Sequence, residues 1–173
     1  MIYFIRHGET DYNKACRLQG QLDIPLNENG IAQAEKARDE LANFHFDIIY
    51  SSSLVRAKKT AEIVNEKHNV QIVYEDRLKE INGGEMQGKC LKDWTSEMHE
   101  DFNKNRKNLG AETVEQFCER VESFYKEIEN SNKDILIVAH GGVYRAIYKY
   151  INNIKDFNFE LKGLKNASVI VIK

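Results

Sequence analysis

The sequence predicts an α/β protein, a three-layer sandwich with a mostly parallel central sheet flanked by helices. Three observations carry that expectation. Short aliphatic runs bounded by turn residues read as buried strands, helical patterns separate most of them, and two of the runs end in a histidine followed by glycine. In open α/β sheets ligands bind beyond the carboxyl ends of the strands, so both histidines are expected to face one pocket.

The first run, residues 2–5, leads into Arg6-His7-Gly8-Glu9-Thr10. A helix follows over 28–44, capped by Asn27, with Ile31, Ala34, Ala37, Leu41 and Phe44 on the face that covers the sheet. Residues 46–50 and 70–74 are the next two strands. Between them Arg56 stands early in a helical pattern after Tyr50-Ser51-Ser52-Ser53, close to a helix N-terminus. Residues 89–110 are densely charged, with Trp94, Met98 and Phe102 at i,i+4 spacing. That pattern fits a peripheral helix pinned by three apolar side chains, or a short lid over the pocket. The segment 113–130 opens with Thr113 and Gln116 in capping-box spacing. It then lays Val114, Phe117, Cys118, Val121, Phe124, Tyr125 and Ile128 along one stripe, which makes Cys118 a core residue. Residues 135–139 run into His140-Gly141-Gly142 and a helix over 143–151, whose N-terminal N–H groups attract an anion. A last strand is read at 168–172.

The bulk numbers narrow the function classes. A chain of 173 residues suits one domain, residues 1–173, with a full core. A net charge of −2 gives no global positive field, so neither nucleic acid nor a membrane surface is expected as a partner. Oligomeric state leaves no mark in the sequence. Three cysteines, Cys16, Cys90 and Cys118, are odd in number and lack C-x-x-C spacing, which argues against a disulfide framework or a zinc knuckle. With no signal-peptide core and no membrane-length apolar run, a soluble cytoplasmic protein is expected.

Arg6 and Arg56 each offer a planar fork of donors suited to phosphate oxygens. Together with a helix N-terminus they form a phosphate clamp. Phosphoryl transfer is mostly positioning and neutralising the equatorial oxygens, so such a clamp needs no metal or other cofactor, and no metal-ligand spacing is present. A neutral imidazole is a competent nucleophile, and flanking cations keep His7 neutral by disfavouring a second positive charge. His45, His68 and His99 lie in polar or loop contexts with no glycine-rich turn behind them; they receive no role.

Arg6-His7-Gly8-Glu9-Thr10-Asp11-Tyr12-Asn13 resembles the R-H-G-E-[ST]-x-W-N signature of the histidine phosphatase superfamily, in its phosphoglycerate mutase-like branch. The resemblance continues through residues 17–27, Gly30 with Gln33-Ala34, residues 50–57 with Thr60-Ala61, residues 78–82 and residues 138–142. It implies a phosphoglycerate mutase-like fold and a small phosphorylated substrate. It makes His7 the nucleophile that becomes phosphohistidine, and Arg6, Arg56 and His140 the charge-stabilising pocket. Glu80 matches the general acid; Thr10 and Asn13 match phosphate-contacting groups. Gln19 and Gly20 match positions that touch the substrate beyond its phosphate, and Gly141 belongs to the same binding set. By overall pattern the chain is similar to the small bacterial phosphatases that include α-ribazole phosphatase.

Two departures bear on substrate shape. After Glu80 the family commonly carries bulky aromatics where this chain has Gly83 and Met86, so a looser loop and a softer wall are expected. Tyr12 replaces the usual Trp. With only residues 89–110 available as a cover, water is expected to reach the phosphohistidine, which favours a phosphatase over mutase-type phosphoryl transfer or a weakly catalytic phosphate-ester binding module. Paired H-x-[ST] motifs of two-histidine phosphodiesterases are absent.

Overall fold

The computed structural model describes residues 1–92, 94–157 and 164–173. In chain order the strands are β1 (Ile2–Arg6), β2 (Ile48–Ser52), β3 (Ile72–Glu75), β4 (Ile135–Ala139) and β5 (Val169–Val171). The helices are α1 (Asp11–Lys14), α2 (Glu28–Leu41), α3 (Val55–Asn65), α4 (Ser96–Asn105), α5 (Val114–Ile128) and α6 (Gly141–Ile151). Among the described residues the strands form one sheet in the order β3-β2-β4-β1-β5, parallel except for the β1–β5 pair.

Strand β4 is buried at every position because helices cover both faces of the sheet, which is why its sequence is a continuous aliphatic run. Its alternation still sorts the two cores. Ile135, Ile137 and Ala139 pack with Phe117, Val121, Phe124 and Val143 from α5 and α6, whereas Leu136 and Val138 pack with Ala37, Leu41, Ala61 and Val64 from α2 and α3. Helices α5 and α6 thus form one outer layer, and α2 and α3 the other. Helix α5 starts with the expected capping box of Thr113 and Gln116, and Cys118 lies in the core, its thiol pushed up to about 11 by burial.

Helix α2 departs from expectation. It ends at Leu41 and buries Gly30, Ala34, Ala37 and Leu41, while Ile31 within it and Phe44 beyond it are exposed. Phe44 instead sets its ring edge-on to Tyr3 beyond the helix end. Strand β2 begins two residues later than expected, since Phe46 belongs to the turn that packs against α2, and helix α6 begins earlier, taking both glycines into its first turn.

The site is placed by register. Arg6 pairs with Ala139 at the carboxyl ends of β1 and β4, so the next residue on each strand, His7 and His140, stands opposite the other. From here the chain leaves β1 toward α2 on one face and leaves β4 directly into α6 on the other. Adjacent strands whose connections depart to opposite faces open a crevice at their carboxyl ends.

Candidate active site

The His7 and His140 rings lie 5.1 Å apart at an interplanar angle of 59°. Both are buried, at 3% and 0% exposure. His7 Nδ1 is 2.7 Å from the Gly8 carbonyl oxygen, an acceptor only, so the neutral imidazole carries its proton on Nδ1 and leaves the Nε2 lone pair free. Burial, then the positive charges of Arg56 and Arg6, hold His7 well below its ordinary value, against the opposing pull of the Gly8 carbonyl. A neutral imidazole with Nε2 unprotonated follows.

His140 is held well below its ordinary value too, by burial first and then by Arg56, His7, Arg6 and Arg120. Its Nε2 lies 2.8 Å from Ser52 Oγ, which also accepts the Leu54 N–H at 3.3 Å. The hydroxyl proton is therefore available to Nε2, which places the imidazole proton on Nδ1, a buried nitrogen with no hydrogen-bond partner among the described residues. Such a donor suits an oxyanion.

The two arginines are fixed from behind. Arg6 Nη1 donates to the Leu164 carbonyl at 2.7 Å; Arg56 donates to the Leu22 carbonyl at 2.8 Å through Nη1 and to the Gly20 carbonyl at 2.7 Å through Nη2. The Nε of each is buried without a partner among the described residues. Arg56 sits in the first turn of α3, whose Val55 N–H is taken by Asp23 Oδ1 at 2.6 Å. Its burial pushes the guanidinium down to about 10, although Glu80 and Asp23 oppose this.

Glu80 enters from the loop after β3. Its Oε1 accepts the Ile81 N–H at 2.9 Å and its Oε2 accepts the Gly142 N–H at 3.0 Å. The N-terminus of α6 does bind an anion, and the anion is this carboxylate. His7, Arg6, Arg56, Glu80 and His140 are thereby brought together from four places in the fold: the end of β1, the first turn of α3, the loop after β3 and the junction of β4 with α6.

Thr10, Asn13 and Gln19 satisfy one another. Thr10 Oγ1 accepts the Asn13 N–H at 3.1 Å as the cap of α1 and donates to Gln19 Oε1 at 2.8 Å, while Asn13 Oδ1 accepts the Thr10 N–H at 3.1 Å. Gly20 supplies the carbonyl held by Arg56. Gly141, the first residue of α6, leaves room beside Arg6, whose Nε would lie 3.8 Å from a Cβ placed there. Gly8 must be glycine because a Cβ would come within 2.3 Å of the Gly30 carbonyl, where the loop after His7 crosses the start of α2.

The loop after Glu80 corrects an expectation. Gly83 does not loosen it: Gly83 packs against Leu18 and Gln87, and residues 84–86 form a 3-10 turn. Gln87 Oε1 fastens that turn to the Gln21 N–H at 2.7 Å and the Gly83 N–H at 3.2 Å. In the segment after it, Trp94 meets Phe102 edge-on and Phe102 is buried, but Met98 is 46% exposed, so two apolar side chains pin α4 and not three. Beneath them lies a cavity of about 500 Å³ lined by Leu18, Ile81, Leu91, Trp94, His99 and Phe102.

Three contributors went unassigned at the sequence level. Ser52 orients His140; Thr60 Oγ1 accepts the Gly8 N–H at 3.1 Å; Asn166 Nδ2 donates to the His7 carbonyl at 3.0 Å. Ser52 and Thr60 lie inside blocks that matched the family, which was a usable signal. Asn166 carried none.

Residues 2–173 match the model of the histidine phosphatase superfamily, branch 1. The chain belongs to that superfamily. Phosphoryl transfer through a phosphohistidine is general to it. The chain is 37% identical over 153 residues to the uncharacterised phosphatase PhoE of Bacillus subtilis, covering 87% of this chain and 77% of that one. It is 32% identical over 179 residues to phosphoserine phosphatase 1 of Hydrogenobacter thermophilus, covering 99% and 85%. Among solved structures, a mycobacterial glucosyl-3-phosphoglycerate phosphatase in complex with VO3 superposes with a TM-score of 0.79 at 29% identity, covering 97% of this chain and 90% of that one. Among the described residues no helix is long and apolar enough to cross a membrane.

Proposed function

We propose that this chain hydrolyses a small phosphomonoester in two half-reactions at His7. In the first, the His7 Nε2 lone pair attacks phosphorus, the bond to the leaving oxygen breaks, and Glu80 delivers a proton to that oxygen. In the second, Glu80 takes a proton from water as its oxygen attacks phosphorus, the P–N bond breaks, and inorganic phosphate departs. Arg6, Arg56 and His140 stabilise the charge on the transferring group.

The observation that carries this reading is the set of buried nitrogens around His7 that have no partner among the described residues: Arg6 Nε, Arg56 Nε and His140 Nδ1. An unsatisfied buried polar group costs about 1–3 kcal/mol, so three on residues flanking one imidazole are best accounted for by an oxyanion that they bind. Thr10, Asn13, Gln19 and Gly20 shape the loop that borders the phosphate, and Gly141 leaves space for one of its oxygens. Residues 89–110 act as a short cover whose cavity, bounded by Ile81 beside Glu80 and Leu18 beside Gln19, takes apolar parts of the substrate. Residues 1–173 are read as one domain, and the three unpaired thiols fit a reducing cytoplasm.

Hydrolysis is favoured over mutase-type transfer because the relatives described above carry phosphatase names and the cover is short. The test is phosphate release from p-nitrophenyl phosphate and a panel of phosphorylated metabolites under exhaustive chelation. Turnover is expected to persist. A collapse restored by added metal overturns the metal-independent mechanism, and no release from any substrate points to a binding module.

A further inference from the structure

We infer that Arg120, on α5 and outside every motif assigned above, is a positioning residue that holds Glu80 in its working place; this rests on the reading of Glu80 as the general acid. Its guanidinium makes more directed contacts than any arginine in the phosphate clamp. Nε and Nη2 donate to the two carboxylate oxygens of Glu112 at 2.6 and 2.8 Å, a fork-to-fork ion pair. The remaining donors go to backbone: Nη1 to the carbonyls of Arg77 and Lys79, both at 2.7 Å, and Nη2 to the carbonyl of Glu80 itself at 3.0 Å.

The pair grips the loop from both sides of Glu80. Glu112 Oε2 also accepts the Asn82 N–H at 3.1 Å, while the Glu112 N–H donates to the Asn82 carbonyl at 3.1 Å. Arg106 closes the frame, donating to the Glu112 carbonyl at 2.6 Å through Nε and to the Asn82 carbonyl at 3.2 Å through Nη2. Carbonyls 77, 79 and 80 and both backbone polar groups of residue 82 are thus tied to one ion pair, and the residue at the centre of that span is the general acid. The chain around Glu80 has no sheet or α-helix to hold it, being a 3-10 turn (Asp76–Leu78) followed by loop. Side-chain anchoring does that job here. Arg120 stacks its guanidinium over the Phe117 ring, 4.9 Å from the centroid, so the fork is fixed on the same helix that fills the core.

The consequence is specific to one chemical step. Misplacing a reacting group by about 1 Å can cost roughly 100-fold in rate. Loosening Glu80 harms substrates whose leaving oxygen needs a proton and spares those whose leaving oxygen does not. A contribution to folding alone lowers both in proportion to the folded fraction.

The experiment compares Arg120→Gln with wild type on β-glycerol phosphate, a poor leaving group, and on p-nitrophenyl phosphate, a good one, with the folded fraction measured at the assay temperature. Arg120→Lys is run in parallel as a milder variant that keeps the charge but cannot fork. The expected result is a loss of about 10- to 100-fold in kcat on the alkyl ester, less than about threefold on the aryl ester, and little change in KM. In a Glu80→Gln background the same substitution is expected to add no further loss on the alkyl ester, because its effect passes through Glu80. Losses that are equal on both esters, or that multiply with Glu80→Gln, overturn the positioning role and leave Glu80 as the acid. No effect of Glu80→Gln alone on either ester overturns the assignment of Glu80 and this inference with it. If Arg120→Gln does not fold, the Arg120→Lys comparison and its cycle with Glu80→Gln decide the matter on the same criteria.

Discussion

Glu80 Oε2 sits 3.0 Å from the Gly142 nitrogen, and a Cβ at residue 142 would lie 2.1 Å from Glu80 Oε1. Glu80, the proposed general acid, and the first turn of α6 therefore share one space, and only glycine leaves it free.

Gly142→Ala separates stability from activity. The obstructing atom is the end of a side chain, so Glu80 is expected to swing away and the helix to tolerate the methyl, with a gain of up to about 1 kcal/mol from replacing glycine in a helix. Activity on an alkyl phosphate should fall at least about tenfold, as loss of general acid catalysis does. A variant with both lower Tm and proportionate loss on every substrate contradicts this account.

The bond from His7 Nδ1 to the Gly8 carbonyl leaves Nε2 as the nitrogen to be phosphorylated if His7 is the nucleophile proposed above. Rapid quench under alkaline conditions should trap acid-labile phosphate on His7 Nε2, identified by phosphorus NMR, and His7→Ala should lack both the adduct and turnover. An adduct on Nδ1 rejects the tautomer assignment.

Ser52→Ala leaves His140 in place but removes the hydroxyl that sets its proton on Nδ1. One hydrogen bond of about 1 kcal/mol corresponds to a loss of roughly fivefold to tenfold in kcat/KM, expected on aryl and alkyl esters alike because the donor acts on the transferring group. Selective loss on the alkyl ester would assign His140 to the leaving oxygen.

The buried histidines also shape the pH dependence of folding. His7 and His140 stay neutral in the fold, whereas an unfolded histidine takes up a proton near about 6.5. Below that pH the unfolded chain binds more protons, so stability falls on acidification by up to about 1.4 kcal/mol per pH unit for each. Carboxylates held below their ordinary values, such as Glu75 beside Arg77, add to the loss only at lower pH. Urea unfolding at pH 7.5, 6.5 and 5.5 should show the slope, and a His7→Gln, His140→Gln double variant should flatten it. Stability that is level across this range excludes the neutral pair.

The sequence made the candidate site legible wherever one of its residues sat at the end of a regular element. Arg6-His7 and His140 follow buried strands, and their glycines mark close backbone approach, a signal that survives in one dimension. Helix ends were harder. Phe44 continued an apolar period past the point where α2 stops, and Ile31, inside the helix, lies on its exposed side, because periodicity reports spacing and not where the backbone turns away or which side is covered. Gly83 was misread for a related reason: a missing side chain says nothing about whether a neighbour fills the space, and here Leu18 and Gln87 do. Asn166 and Arg120 were out of reach, since each acts on backbone carbonyls and is distant in sequence from the residues that it serves.

Strand β1 lies between β4 and β5, so its neighbours in the sheet are made long after it. About 130 residues must follow β1 before β4 exists, a wait of roughly 6–26 s at ordinary rates of synthesis. Throughout that interval an aliphatic strand that leads into the proposed nucleophile lacks both of its neighbours among the described strands. The crevice cannot be seated by local contacts, and its closure depends on a pairing of high sequence separation. Until β4 is made the two histidines cannot stand opposite each other, and Ile2, Phe4 and Ile5 form an apolar stretch that chaperones would be expected to shield.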